Sequence, residues 1–157
     1  GGRNGGQGDE PDYGRVGDKM IREVEYMSQA RAEYFRPMKR EAIISITGSG
    51  HPRADLKKGW SRVLRLVFDD VERPCRGAVP FNVDHAETIL EWLDAVEKRV
   101  ERVFVHCHAG RHRSAAVAKF KTERYDLPGG IRVHEEYNAR VYRILFRLWL
   151  SHRSSWR

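Results

Sequence analysis

The sequence predicts an α/β fold, a mainly parallel central sheet with helices on both faces. Three observations point to it. Short runs rich in Val and Ile recur along the chain, stretches with helical spacing separate several of them, and Gly- and Pro-containing breaks punctuate the rest. Strands separated by helices are joined by crossovers, and crossovers give parallel pairing. One domain with a modest core is expected from 157 residues.

Taken in order, residues 1–19 are the exception. Gly1-Gly2-Arg3-Asn4-Gly5-Gly6-Gln7-Gly8 is too glycine-rich to pack, and nothing is periodic through Asp18. We expect a disordered tail or an added, non-native segment there, with Met20 the native start of a single domain over 20–157. Ile21 to Tyr26 reads as a first strand, Ser28 to Phe35 as a short helix and Ala42 to Thr47 as a second strand. Gly48-Ser49-Gly50-His51-Pro52 breaks the chain before a third strand, Val63 to Phe68.

Asp84 to Arg99 places Ala86, Ile89, Leu90, Leu93, Val96 and Val100 on one helical face. Asp84 and Glu87 have capping-box spacing at its start. Val103 to Val105 is a buried strand and Arg113 to Tyr125 a helix, ended by Leu127-Pro128-Gly129-Gly130. A last helix is expected from His134 to Leu150, with Val141, Ile144, Leu145, Leu148 and Trp149 at core spacing.

Between that fourth strand and its helix lies His106-Cys107-His108-Ala109-Gly110-Arg111-His112-Arg113-Ser114. A strand, a tight loop and a helix N-terminus form an anion site, because backbone N–H groups converge and the helix dipole adds positive potential. Cys107 at its base must be a thiolate to act as a nucleophile, and the same environment lowers a thiol pKa. Arg113 offers a planar fork for two phosphoryl oxygens. Gly110 lets the backbone turn without a Cβ clash, and Ser114 can donate to the sulfur. The loop N–H groups of His108, Ala109, Gly110, Arg111, His112 and Arg113 are the expected phosphate cradle.

This stretch matches His-Cys-x-x-Gly-x-x-Arg-Ser, and so resembles the signature loop of the cysteine-dependent protein tyrosine phosphatase superfamily. Leu64-Arg65-Leu66-Val67-Phe68-Asp69-Asp70 is similar to the strand and loop that carry the general-acid aspartate in dual-specificity phosphatases. Its Phe-Asp-Asp triplet is similar to that of the phosphatases of regenerating liver, in which the second aspartate is the acid. From Met20 on, the chain looks most like small bacterial and phage relatives. The resemblance implies a dual-specificity phosphatase-like fold and double displacement on a phosphomonoester. Cys107 would be the nucleophile, Arg113 the transition-state clamp, Asp70 the acid and Ser114 the aid to thiolate departure. Asp69 and Asp84 stay open as alternative acids, since the 37-residue interval from Asp70 to Cys107 is long and Arg73 to Val83 reads as an insertion.

Phosphoprotein, with phosphotyrosine and phosphoserine or phosphothreonine, is the expected substrate. The alternatives are a phosphoinositide or small phosphate ester, and a non-catalytic phosphate-binding module. The loop holds no lysine, which argues against a lipid. No cofactor is expected. Nor is zinc: His106, His108 and His112 flank a single cysteine, no Cys-x-x-Cys partner exists, and side chains on an anion-wrapping loop point outward. His106 is expected to orient the loop, with His108 and His112 at its mouth or in solvent.

A formal charge of +7, or +8 without residues 1–19, suits an anionic partner. Nucleic acid is not expected, because no segment clusters Lys and Arg with interleaved aromatics. No apolar run approaches bilayer length and no secretory signal opens the chain, so a cytoplasmic location is expected. Two cysteines make no disulfide framework. Cys75 reads as a half-buried loop thiol, or else a redox partner of Cys107. The oligomeric state is not legible.

Overall fold

The computed structural model describes residues 20–155, so the expectation for residues 1–19 lies outside the described residues. Eight elements follow in order: β1 (Glu23–Ser28), α1 (Gln29–Tyr34), β2 (Glu41–Thr47), β3 (Arg62–Val67), α2 (Val83–Val96), β4 (Arg102–Cys107), α3 (Arg113–Arg124) and α4 (Ala139–Ser155). The strands form one sheet in the order β1-β4-β2-β3, and every pairing is parallel. The α/β expectation holds.

Alternation along the two central strands separates two cores, as a period of two requires. Ala42, Ile44 and Ile46 of β2, with Val103, Val105 and Cys107 of β4, join a large cluster built with α2, α3 and α4. The face of α2 read from the sequence is all buried in it. Ile43 and Phe104 point the other way, into a smaller cluster closed by Met27, Ala32, Phe35, Leu56 and Trp60. Three helices therefore cover one face, while a single short helix and the coil before β3 cover the other.

Several boundaries differ from expectation, each for a local reason. β1 runs two residues further, to Ser28, because it pairs with β4 as far as Cys107. The cap of α2 is Asn82, whose side-chain oxygen accepts from the Asp84 and His85 amides at 2.9 and 3.2 Å, while His85 Nδ1 accepts the Asn82 amide. Asp84 lies inside the first turn and does not cap. The last helix begins at Ala139, not His134, because the Asn138 carboxamide oxygen accepts the Val141 amide at 3.1 Å and fixes the start.

Parallel pairing collects all four strand C-termini at one edge of the sheet. Ser28 stands beside Cys107, while Thr47 pairs with Val67, and the chain then leaves β3 through Phe68, Asp69 and Asp70. Connections from the central strands depart in opposite directions at this edge, the place where open α/β sheets bind ligands.

Candidate active site

Cys107 ends β4, and the loop after it returns into α3 at Arg113. Gly110 permits that return. Its φ is +70°, and a Cβ would overlap the Ser28 amide nitrogen and lie 2.5 Å from the Met27 carbonyl carbon. The loop is thus pressed against the β1–α1 junction, where the Gln29 amide donates to the His108 carbonyl at 3.2 Å.

The Cys107 thiol is buried, at 2% exposure. Burial alone pushes its pKa up. The Ser114 hydroxyl at 3.1 Å, the Ser114 amide at 3.4 Å, the Arg113 charge and the Gly110 amide act against this, and the net pKa falls below the ordinary thiol value. Arg113 is 8% exposed; its Nη1 donates to the Phe68 carbonyl at 2.8 Å, and its Nε has no hydrogen-bond partner among the described residues. One terminal nitrogen is anchored on the Phe68 carbonyl.

That cleft, of about 370 Å³, is lined by Gln29, Thr47, Gly48, His51, Pro52, Asp69, Asp70, His108 and Arg113. No aromatic ring is in its wall apart from the two imidazoles. Of the remaining loop residues, Ala109 is exposed and Arg111 leans outward onto Glu136, at 3.5 Å.

The two neighbouring aspartates differ. Asp69 accepts from the Val79 amide at 2.7 Å, the Ser49 hydroxyl at 2.7 Å and the Ser49 amide at 2.9 Å. These bonds, the Val79 amide foremost, hold its carboxyl below the usual carboxylate range. It staples the loop after β2 to the loop after β3. Asp70 instead meets His112 Nδ1 at 2.6 Å through Oδ2 and accepts from the Asn138 side-chain Nδ2 at 2.8 Å through Oδ1. His112, expected at the mouth or in solvent, is turned to Asp70 and does not line the cleft. Asp84 sits on α2, outside the cleft.

His106 is fully buried on the opposite face of β4 from Cys107, with Nε2 at 2.6 Å from the Ser45 hydroxyl. Burial pushes its pKa down to about 4, so the ring is neutral. Cys75 is exposed rather than half-buried and is not part of the cleft wall. Among the described residues no group of three or more His, Cys, Asp or Glu is placed to hold a metal ion, and no helix is long and apolar enough to cross a membrane.

No family model matches the chain, and no curated protein matches it. Among solved structures, the chain is similar to the human tyrosine phosphatase-like serine/threonine/tyrosine-interacting protein. That similarity has 20% identity, covers 71% of this chain and 78% of the other, and has a TM-score of 0.49.

The sequence pointed to Cys107, Arg113, Ser114 and Asp70; Cys107 and Ser114 are in contact, and Arg113 and Asp70 line one cleft at the same edge of the sheet. Missed were Asn138, the cleft residues Gln29 and His51, and the Phe68 carbonyl that anchors Arg113. Asn138 had only its position before an amphipathic helix to mark it.

Proposed function

We propose that this chain is a cysteine-dependent phosphomonoesterase of the tyrosine and dual-specificity type, acting on phosphoprotein. The observation that carries the reading is the convergence on one buried thiol. Cys107 receives a hydroxyl and two backbone amides, all of which favour its thiolate, and the loop that follows it presents His108 and Arg113 to the cleft. A thiolate beside an anion-binding arginine suits attack on phosphorus.

In the first half-reaction Cys107 Sγ bonds to phosphorus and the P–O bond to the leaving group breaks. Asp70, protonated, gives its proton to the departing oxygen. Arg113 and the loop N–H groups from His108 to Arg113 bind the equatorial oxygens as charge spreads over them. In the second half Asp70 takes a proton from water, the water oxygen bonds to phosphorus, and the S–P bond breaks. Ser114 supports the sulfur as it regains its charge. Asp69 is unsuited to the acid's role, because bonds from Val79 and Ser49 favour its ionised form. A cleft of about 370 Å³ with no phenyl or indole ring in its wall has room for phosphoserine and phosphothreonine along with phosphotyrosine.

The test is hydrolysis of phenyl phosphate, whose leaving group needs a proton, in EDTA by the parent, Cys107→Ser, Asp70→Asn and Asp69→Asn. Turnover should survive EDTA, vanish in the cysteine variant, and fall by roughly 10²–10⁴ in the Asp70 variant. Asp69→Asn should keep most of its rate and lose stability instead. A parent inactive under reducing conditions, yet retaining phosphate-ester binding, would replace this reading with that of a phosphate-binding module.

A further inference from the structure

Asp70 is held at both oxygens, and by partners of different capability. Asn138 is 1% exposed, and its amide nitrogen bonds Asp70 Oδ1 at 2.8 Å and the Val71 carbonyl at 3.3 Å. Its own amide donates to the His112 carbonyl at 3.0 Å, while its side-chain oxygen caps α4. One buried side chain thus ties the loop after β3, the Cys107 loop and the start of α4. At the other oxygen, His112 Nδ1 lies 2.6 Å from Asp70 Oδ2.

A carboxamide nitrogen can only donate, whereas an imidazole nitrogen donates or accepts according to tautomer. Oδ1 is therefore fixed as an acceptor, and the oxygen free to carry a proton is Oδ2. We propose that Asn138 and His112 are positioning residues for proton transfer, Asn138 anchoring Oδ1 and His112 serving Oδ2 in both of its protonation states. The inference rests on the phosphomonoesterase reading above. In the first half-reaction the Oδ2–H bond breaks and the proton passes to the leaving oxygen; the part-exposed His112 ring then loses its Nε2 proton to solvent and takes one from solvent at Nδ1, and Nδ1–H donates to the bare carboxylate. In the second, Oδ2 regains a proton from water. His112 itself does not line the cleft, so it acts through Asp70.

The readout is leaving-group dependence. A nitrophenolate departs with little proton help, whereas an unsubstituted phenolate needs it. Parent, Asn138→Ser, His112→Ala and His112→Asn are assayed on phenyl phosphate and para-nitrophenyl phosphate, with the melting temperature of each recorded. Serine retains the capacity to cap α4 but is too short to reach Asp70. Asn138→Ser and His112→Ala should each lose about tenfold or more in kcat on phenyl phosphate beyond their loss on the nitrophenyl ester, with KM little changed. His112→Asn, whose carboxamide offers a donor nitrogen close to the Nδ1 position and, on rotation, an acceptor oxygen, should recover most of it. Equal losses on both esters, or none, would overturn the clamp while leaving the phosphatase reading intact. A parent that turns over neither ester would overturn both. If Asn138→Ser does not fold, the His112 pair decides alone.

Discussion

In the buried unit that presents Arg113 to the cleft, called the floor below, Cys107 and Ser114 are seven residues apart and meet because β4 ends and α3 begins between them. In the group around Asp70, called the rim below, Asp70, His112 and Asn138 come from three separate segments, and 68 residues separate Asp70 from Asn138. The floor is also buried, whereas the Asp70 and His112 side chains are about one-third exposed. Reactive sulfur and clamp are thus fixed by one strand–loop–helix unit, and the proton-handling groups by the way neighbouring loops dock onto it. Disturbance of the floor should reach the chemistry of every substrate, and disturbance of the rim should depend on the substrate.

Arg113→Lys probes the floor hardest. The lysine keeps one positive charge but loses the fork that anchors on the Phe68 carbonyl. We expect kcat to fall by roughly 10²–10³, the usual cost of removing one oxyanion donor, on phenyl and nitrophenyl esters alike. Steady-state kinetics on the two esters checks this. A loss confined to phenyl phosphate would mean that Arg113 acts with the rim, and the contrast between the regions would break.

The same contrast explains what was legible in the chain. Cys107, Gly110, Arg113 and Ser114 could be read because backbone geometry, dipole and spacing act within one local segment. Strand identity was legible too: Ile43, Ile44 and Ile46 have no helical alternative between a basic turn and a Gly-rich break. Asn138 was not legible, because a polar residue before an amphipathic helix reads only as a cap, and its second bond is to a residue of a distant loop. The Asp84 cap failed for a related reason. Acidic residues near a helix start are common, and Asn82 holds the position because its carboxamide reaches two amides. His112 read as a loop residue lining the mouth or facing solvent, and the docking of the loop after β3 is what brings Asp70 to its ring.

A smaller effect sharpens the description of the floor. The Ser114 hydroxyl is the chief influence lowering the Cys107 pKa against burial. Removing it in Ser114→Ala leaves the Ser114 and Gly110 amides and Arg113, so the thiol pKa should rise without returning to that of an isolated buried thiol. The pH dependence of alkylation by iodoacetamide reports this directly. Its midpoint should move to higher pH in the variant, with slower modification at neutral pH. An unmoved midpoint would assign the lowering to the backbone amides and Arg113.

The smallest expected effect lies beneath the floor, at His106. Its folded pKa of about 4 lies below the ordinary imidazole value of 6.5, and the cause is burial. Between these values the unfolded chain binds a proton that the folded one refuses, so stability rises with pH across that window. Put the other way, it declines as pH falls from 6.5 towards 4, by at most about 1.4 kcal/mol per pH unit. His85 is also held below its usual value by burial, and adds in the same direction. Asp69 acts lower down: its depressed carboxyl stabilises the fold above the ordinary carboxylate range, and that contribution is lost as pH falls through the folded value. Denaturant unfolding of the parent and His106→Gln at several pH values separates the three, since the difference between them cancels His85 and Asp69. The difference should have a slope between pH 6.5 and 4 and flatten below it. A flat difference throughout would mean that His106 takes up its proton in the folded state, with the Ser45 hydroxyl at 2.6 Å rotating to accept from it.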